Sequence, residues 1–183
     1  MSKSKTTHII CILDCSGSMT SLATEVVSNF NKFLKSQQEL SGKAKLTLVT
    51  FDDEYNLIHN KVKLSKVKPI TDEYVIGGMT ALYDAVGKTI TPMMKKDKVV
   101  LFVHTDGLEN SSKEFTSDAV KALIKQKEDK WDIQFVGAGI DAVSAGGNLG
   151  FKVANCVSTT RSIDDLEDTY ATLSANTVAY RTM

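Results

Sequence analysis

The sequence is poor in the residues that staple or stiffen a small fold. It has two prolines and three cysteines in 183 residues. Cys11, Cys15 and Cys156 cannot all pair, and no C-x-x-C occurs, which argues against a disulfide scaffold or a paired-thiolate metal site. Three reduced thiols in a cytosolic protein is the simpler expectation. Net charge is missing too: 22 Lys and Arg stand against 22 Asp and Glu. A neutral balance creates no long-range field for a polyanion, so nucleic acid is not an expected partner. No apolar stretch approaches the roughly 18 residues of a membrane span. The apolar run at residues 9–13 is shorter than the ~7–15 residues of a signal-peptide core and ends at Asp14. The expected location is therefore cytoplasmic. Linkers, repeats and low-complexity stretches are also absent. The length fits a single domain over 1–183 with a short flexible tail at 1–6, large enough to bury roughly 70% of its unfolded surface.

What is present is an alternation of strand and helix patterns. Residues 8–13 are apolar without a period of two, which suits a strand covered on both faces. Leu22, Val26, Phe30, Phe33 and Leu34 recur at helical spacing within 21–40, and Ser41-Gly42 ends that helix. Residues 44–51 form a second strand, Asp52-Asp53-Glu54 a turn, and 55–62 a third, antiparallel strand. Over 61–68 lysine alternates with apolar residues. That is either a basic binding strip or, more simply, an edge whose lysines discourage strand addition.

Gly77-Gly78 opens a loop before a helix expected over 81–96, which Pro92 should kink or end early. Residues 98–105 are another strand buried on both faces, closing at Asp106-Gly107. Ser117 is a candidate cap for the next helix. A strand at 131–136, a short helix at 141–149, a last strand at 151–157 and a helix with Ile163, Leu166, Tyr170 and Leu173 on one face complete the chain. Ser162 with Asp165 resembles a capping box. The order predicts an α/β fold: a doubly wound, mostly parallel sheet with one antiparallel edge strand and helices on both faces. Ligands of such sheets bind outside the carboxyl ends of the strands.

Three sequence pieces belong at that edge. Asp14-Cys15-Ser16-Gly17-Ser18 follows the first strand, Thr80 lies in the Gly-rich loop before a helix, and Asp106-Gly107 follows a central strand. Two carboxylates meeting there without a cation would repel, and a dication removes the conflict. The donors Asp14, Ser16, Ser18, Thr80 and Asp106 are hard oxygens. They suit Mg²⁺, with Mn²⁺ or Ca²⁺ as alternatives, rather than zinc or copper. Two Asp charges roughly cancel the ion, which can then accept a further carboxylate.

These pieces resemble the metal-ion-dependent adhesion site of von Willebrand factor type A domains: Asp14-x-Ser16-x-Ser18, Thr80 within Gly77-Gly-Met-Thr-Ala-Leu-Tyr-Asp84, and Thr105-Asp106-Gly107. The resemblance runs from His8 to the last helix. It implies a Rossmann-like fold, an Mg²⁺ site completed by a partner's Glu or Asp, and a C-terminal helix coupled to the metal loops. It also implies, for an intracellular bacterial or phage type, work in assemblies beside AAA-type ATPases.

Other motifs are incomplete. Gly87-Lys88-Thr89 lacks the phosphate-loop glycine, since position 82 is Leu. Gly137-x-Gly139-x-x-Ala142 follows a strand but has no acidic residue about 20 positions on. Cys15 lacks the Arg of a C-x5-R phosphatase, and Ser16 stands where an aspartyl-phosphate enzyme needs its second Asp. His104 is a core histidine or a base. His8 and His59 lack a partner at metal spacing, and Trp131 is core. Glu109, Asn110 and Ser111 are rim residues or a polar turn, and Asp52 and Asp53 add negative potential or form only a hairpin. The expected function is a metal-dependent protein-binding module without enzymatic activity. The alternatives are a metal-assisted phosphoester hydrolase using His104 or Asp52 as base, and an assembly component with a vestigial site.

Overall fold

The computed structural model describes residues 6–94 and 97–183. In chain order the elements are β1 (Thr7–Asp14), α1 (Ala23–Gln38), β2 (Ala44–Phe51), β3 (Tyr55–Lys63), α2 (Leu82–Ile90), β4 (Val99–Thr105), α3 (Ser117–Lys127), β5 (Asp132–Ala138), α4 (Ala142–Asn148), β6 (Cys156–Thr159) and α5 (Ile163–Thr182), with short 3-10 turns at Gly17–Leu22, Leu64–Lys66 and Val153–Asn155. The strands form one sheet in the order β3-β2-β1-β4-β5-β6. β3 pairs antiparallel with β2, and the other pairings are parallel.

The unalternating apolar run of β1 has a direct physical reason. Ile9, Cys11 and Leu13 enter the layer that holds Phe30 and Leu34 of α1 and Leu166, Tyr170 and Leu173 of α5. Ile10 and Ile12 enter the opposite layer, with Val86 of α2, Val120 and Ile124 of α3 and Ala142 of α4. Residues 9–13 are all fully buried, and each Ile or Leu among them contributes about 1.5–3 kcal/mol by leaving water. The chain passes from β1 to β2 on one side, then crosses to β4 on the other. The carboxyl ends of β1 and β4 thus flank a topological switch point, where such sheets place ligands. Leu13 is in register with His104, so Asp14, Thr105 and Asp106 leave the sheet side by side.

Several expected boundaries move. α1 begins at Ala23, because Gly17–Leu22 is wound as a 3-10 turn first. α2 ends at Ile90, ahead of Pro92; Lys95 and Lys96, expected at the end of this helix, and residues 1–5 of the expected tail lie outside the described residues. Thr116, not Ser117, caps α3, its side chain accepting from Ala119 N. The last strand is Cys156–Thr159, not 151–157. Gly150 turns with φ +88°, and Phe151 packs against Phe135 from the loop, so its apolarity marks core contact without a strand. Trp131 is buried just ahead of β5. Ser162 does cap α5, accepting from Asp165 N, but Ile163 is 59% exposed and leaves the apolar face to Leu166, Tyr170 and Leu173. Among the described residues no helix is long and apolar enough to cross a membrane.

Candidate metal centre

Asp14 is the last residue of β1 and is fully buried. Its Oδ1 accepts from Ser16 N at 2.7 Å, and its Oδ2 from Thr105 Oγ1 at 2.5 Å. Ser16 Oγ lies 3.2 Å from Ser18 Oγ, which donates to Asp106 Oδ1 at 2.6 Å. Ser16, Ser18 and Asp106 therefore form one hydrogen-bonded chain beside Asp14. Thr80 closes on the same point. A methyl added at Gly107 would stand 3.2 Å from Thr80 Oγ1 and 3.7 Å from Ser18 Oγ, so the glycine lets these side chains approach.

The Thr80 loop is held from several sides. Thr80 N donates to Asn110 Oδ1 at 2.8 Å, and Asn110 N donates to Thr80 O at 3.0 Å. Gly17 N donates to Gly78 O, Gly77 N to Cys15 O and Ala81 N to Asp52 O. Asp53 Oδ1 accepts from Met79 N at 3.0 Å. Gly78 needs its φ of +66°, and a side chain there would run into both aspartates. Asp52 and Asp53 are thus fasteners of the loop as well as turn residues. Glu109, at the rim, accepts from Tyr83 N in the first turn of α2 and from the amides of Ser111 and Ser112. It anchors its own turn to that helix.

Burial raises the pKa of Asp14, and the nearby Asp106 charge pushes the same way, against the hydrogen bonds from Ser16 and Thr105 that lower it. The groups holding Asp14 are an amide and a hydroxyl, both neutral. Asp106 differs. The guanidinium of Arg161, in the turn between β6 and α5, donates to Asp106 Oδ2, to Ser18 O at 2.7 Å and to Ser21 Oγ at 2.9 Å. The Asp106 side chain is fully buried, while that of Arg161 is 39% exposed. A cation supplied by the chain itself therefore already sits on one of the two carboxylates. Among the described residues no three His, Cys, Asp or Glu side chains cluster as a metal site, so an ion here depends on hydroxyl as well as carboxylate oxygens.

The candidate nucleophile and base are both buried. Cys15 is buried, and burial pushes its thiol up to about 12. His104 is fully buried beside the rings of Phe102 and Tyr170, with Nδ1 3.1 Å from Tyr170 OH. Burial lowers its pKa to about 4.

Sequence reasoning missed Arg161, the clamp role of Asn110, and Tyr74, whose hydroxyl donates to Asp14 O. One signal for Arg161 was available. It is one of only two arginines in the chain and precedes a helix cap. Nothing in the sequence marks Tyr74 as a partner of a residue 60 positions away.

No protein-family model matches the sequence, and no curated protein resembles it closely enough to count as a match. Solved structures do match. The mussel byssus proximal thread matrix protein 1, with a zinc-occupied MIDAS motif, aligns at TM-score 0.69 and 19% identity over 95% of this chain and 46% of that one. The pilus adhesin SpaC of Lactobacillus rhamnosus GG, in an open conformation, aligns at TM-score 0.72 and 13% identity, covering 94% and 30%. A von Willebrand factor type A protein of Catenulispora acidiphila aligns at TM-score 0.65 and 15% identity, covering 94% and 42%. The chain spans less than half the length of these three structures. Identities this low speak to the fold alone, and six strands in this order with helices on both faces agree with it. The chain has the von Willebrand factor type A fold.

Proposed function

We propose that the chain is a single-domain, divalent-metal-dependent protein-binding module. Its ion would be held by Asp14, Ser16, Ser18, Thr80 and Asp106 and completed by an Asp or Glu of a partner protein. One observation carries this reading: three loops bring two buried carboxylates and three hydroxyls together at the switch point, where burial and the charge of Asp106 raise the pKa of Asp14. The residues fit a hard dication. Carboxylate and hydroxyl oxygens keep lone pairs after accepting one hydrogen bond, and Mg²⁺ tolerates weak or water-mediated contacts because it retains waters. Mg²⁺ is the favoured ion, with Mn²⁺ or Ca²⁺ as alternatives. When bound, the ion supplies a positive pole with room for one more anionic ligand. The zinc-occupied MIDAS motif on the same fold supports a dication here.

Catalysis is not part of the reading. His104 is locked in the core, and Asp52 Oδ1 is engaged by Glu54 N at 2.7 Å, which weighs against the phosphoesterase alternative. The partner setting, a cytoplasmic assembly that includes an AAA-type ATPase, rests on the family resemblance. Titration with Mn²⁺ or Mg²⁺ should show one site in the native chain and none in Asp14→Ala, with circular dichroism unchanged. Affinity capture from the native host should lose its partner when chelator is added. A partner retained both in chelator and by Asp14→Ala refutes metal-dependent docking.

A further inference from the structure

The opposite, amino edge of the sheet carries a second concentration of charge. A cavity of about 460 Å³ is lined there by Lys43, Lys45, Lys61, Lys63 and Arg181, together with Gln37, Gln38 and the apolar Leu40, Ala44 and Leu64. No Asp or Glu lines it among the described residues. None of the five cations is in an ion pair within the described residues. Among the described residues Arg181 donates to neutral acceptors, Gln37 O at 2.6 Å and Gln37 Oε1 at 3.0 Å.

Protection of an exposed edge accounts for Lys61 and Lys63 on β3. It does not account for Lys45, which is on the inner strand β2, or for Lys43 and Arg181, which come from a turn and from the end of α5. Lys45 is in register with Lys63 across the antiparallel pair, and like charges placed opposite are destabilising. Lys61 holds φ +53°, the positive-φ residue other than glycine in the described chain, beside a register shift in the ladder, with its amide on Thr47 Oγ1 at 3.1 Å. Bulges of this kind re-aim side chains, and such backbone strain persists where the surroundings hold it. The wall is also fixed in advance: Gln38 Nε2 donates to Leu64 O and Val67 O, pinning the 3-10 turn.

We propose that this cavity binds a small phosphorylated molecule carrying several negative charges. The cations would meet the phosphoryl oxygens, and Leu40, Ala44 and Leu64 an organic portion. The volume is that of an ordinary small-ligand site. The neutral composition does not oppose this, because charge collected in a concave site acts locally.

The test is titration of the full chain with inorganic tripolyphosphate in chelator-containing buffer, at ionic strength matched with KCl, so that metal binding plays no part. One site is expected, weakened by about tenfold for each lysine removed in Lys45→Gln/Lys63→Gln. Lys61→Gln, on the exposed edge strand, should show the single-lysine loss if the double variant does not fold. Absence of binding, or binding as tight in the variants as in the native chain, overturns the proposal. A single-stranded oligonucleotide bound through these lysines while tripolyphosphate fails overturns it in favour of a nucleic-acid surface.

Discussion

Arg161→Gln tests the electrostatics of the candidate centre. The substitution removes the charge and keeps a side chain able to donate hydrogen bonds. In the native chain the guanidinium contacts a fully buried Asp106 carboxylate and two oxygens of the Ser18–Ser21 turn. Breaking a wholly buried pair costs about 3–5 kcal/mol, but Arg161 is 39% exposed, and solvent screening reduces that to about 1–2 kcal/mol. The loss falls on the metal-free form, where Asp106 keeps only its neutral partner Ser18. A dication would restore the missing positive charge. By the thermodynamic cycle, metal affinity should therefore rise by the same about 1–2 kcal/mol, roughly 5- to 30-fold. In chelator the variant should melt about 2–8 °C below the native chain, since 1 kcal/mol moves Tm by roughly 2–4 °C at this length. Saturating Mg²⁺ should close most of that gap. Calorimetric titration and thermal unfolding with and without metal read both effects. Unchanged or weaker Mg²⁺ binding, or a melting deficit that persists at saturation, refutes the argument that Arg161 and the ion answer the same charge.

Other consequences follow from the loops and the core. Asn110→Ala leaves Thr80 N without its acceptor and should weaken metal binding about 10- to 100-fold, as loss of a ligand's supporting hydrogen bond does; unaltered affinity would show that the clamp is dispensable. Gly78→Ala puts a methyl 1.9 Å from Asp53 Oδ1 at φ +66°. It should cost about 1–3 kcal/mol in denaturant unfolding, and a neutral result would mean that the loop relaxes freely. Folded His104 has its pKa lowered from 6.5 to about 4 by burial. The unfolded chain then binds more protons between those values, so this contribution is complete above about pH 7 and is lost as pH falls towards 4. About 2–3 kcal/mol should be gone by pH 4.5. Urea unfolding of His104→Phe should show a shallower acid decline than the native chain, and parallel declines would rule out the buried histidine as a cause.

Much of the fold was legible because burial wrote it into the chain. Residues 8–13 and 98–105 lack alternation since both faces of β1 and β4 are covered, and the bounds expected for β2 match those found. The failures have equally local causes. Phe151 is apolar because a loop residue can reach the core, so hydrophobicity misplaced β6. Ile163 fits helical spacing but sits in the first turn of α5, where the helix projects into solvent. At the candidate centre, the five proposed oxygen donors were legible because each follows a strand or glycine turn within a short local pattern. Arg161 was not, because its pairing with Asp106 joins positions 55 apart. No periodicity or spacing rule reaches across α3, β5, α4 and β6.

The zero net charge of the sequence is a sum, and the sheet takes it apart. A parallel α/β sheet has two unlike edges, each fed by different loops. At the carboxyl edge, short turns after β1 and β4 bring Asp14 and Asp106 together, and among the described residues only Asp106 receives a cation. At the amino edge, the turn before β2, the antiparallel return of β3 and the end of α5 converge, and they bring lysines and an arginine with no acid between them among the described residues. Opposite charges on one chain would relieve each other if they met, yet the shared direction of the parallel strands keeps the two sets a full strand length apart. Each edge is left with charge that the fold itself does not neutralise, which is the condition under which an ion or ligand gains by binding. Neutral composition properly argues against a long-range field around the molecule. It carries no such argument against a local site, because strand polarity, and not the charge count, decides where the unmatched groups collect.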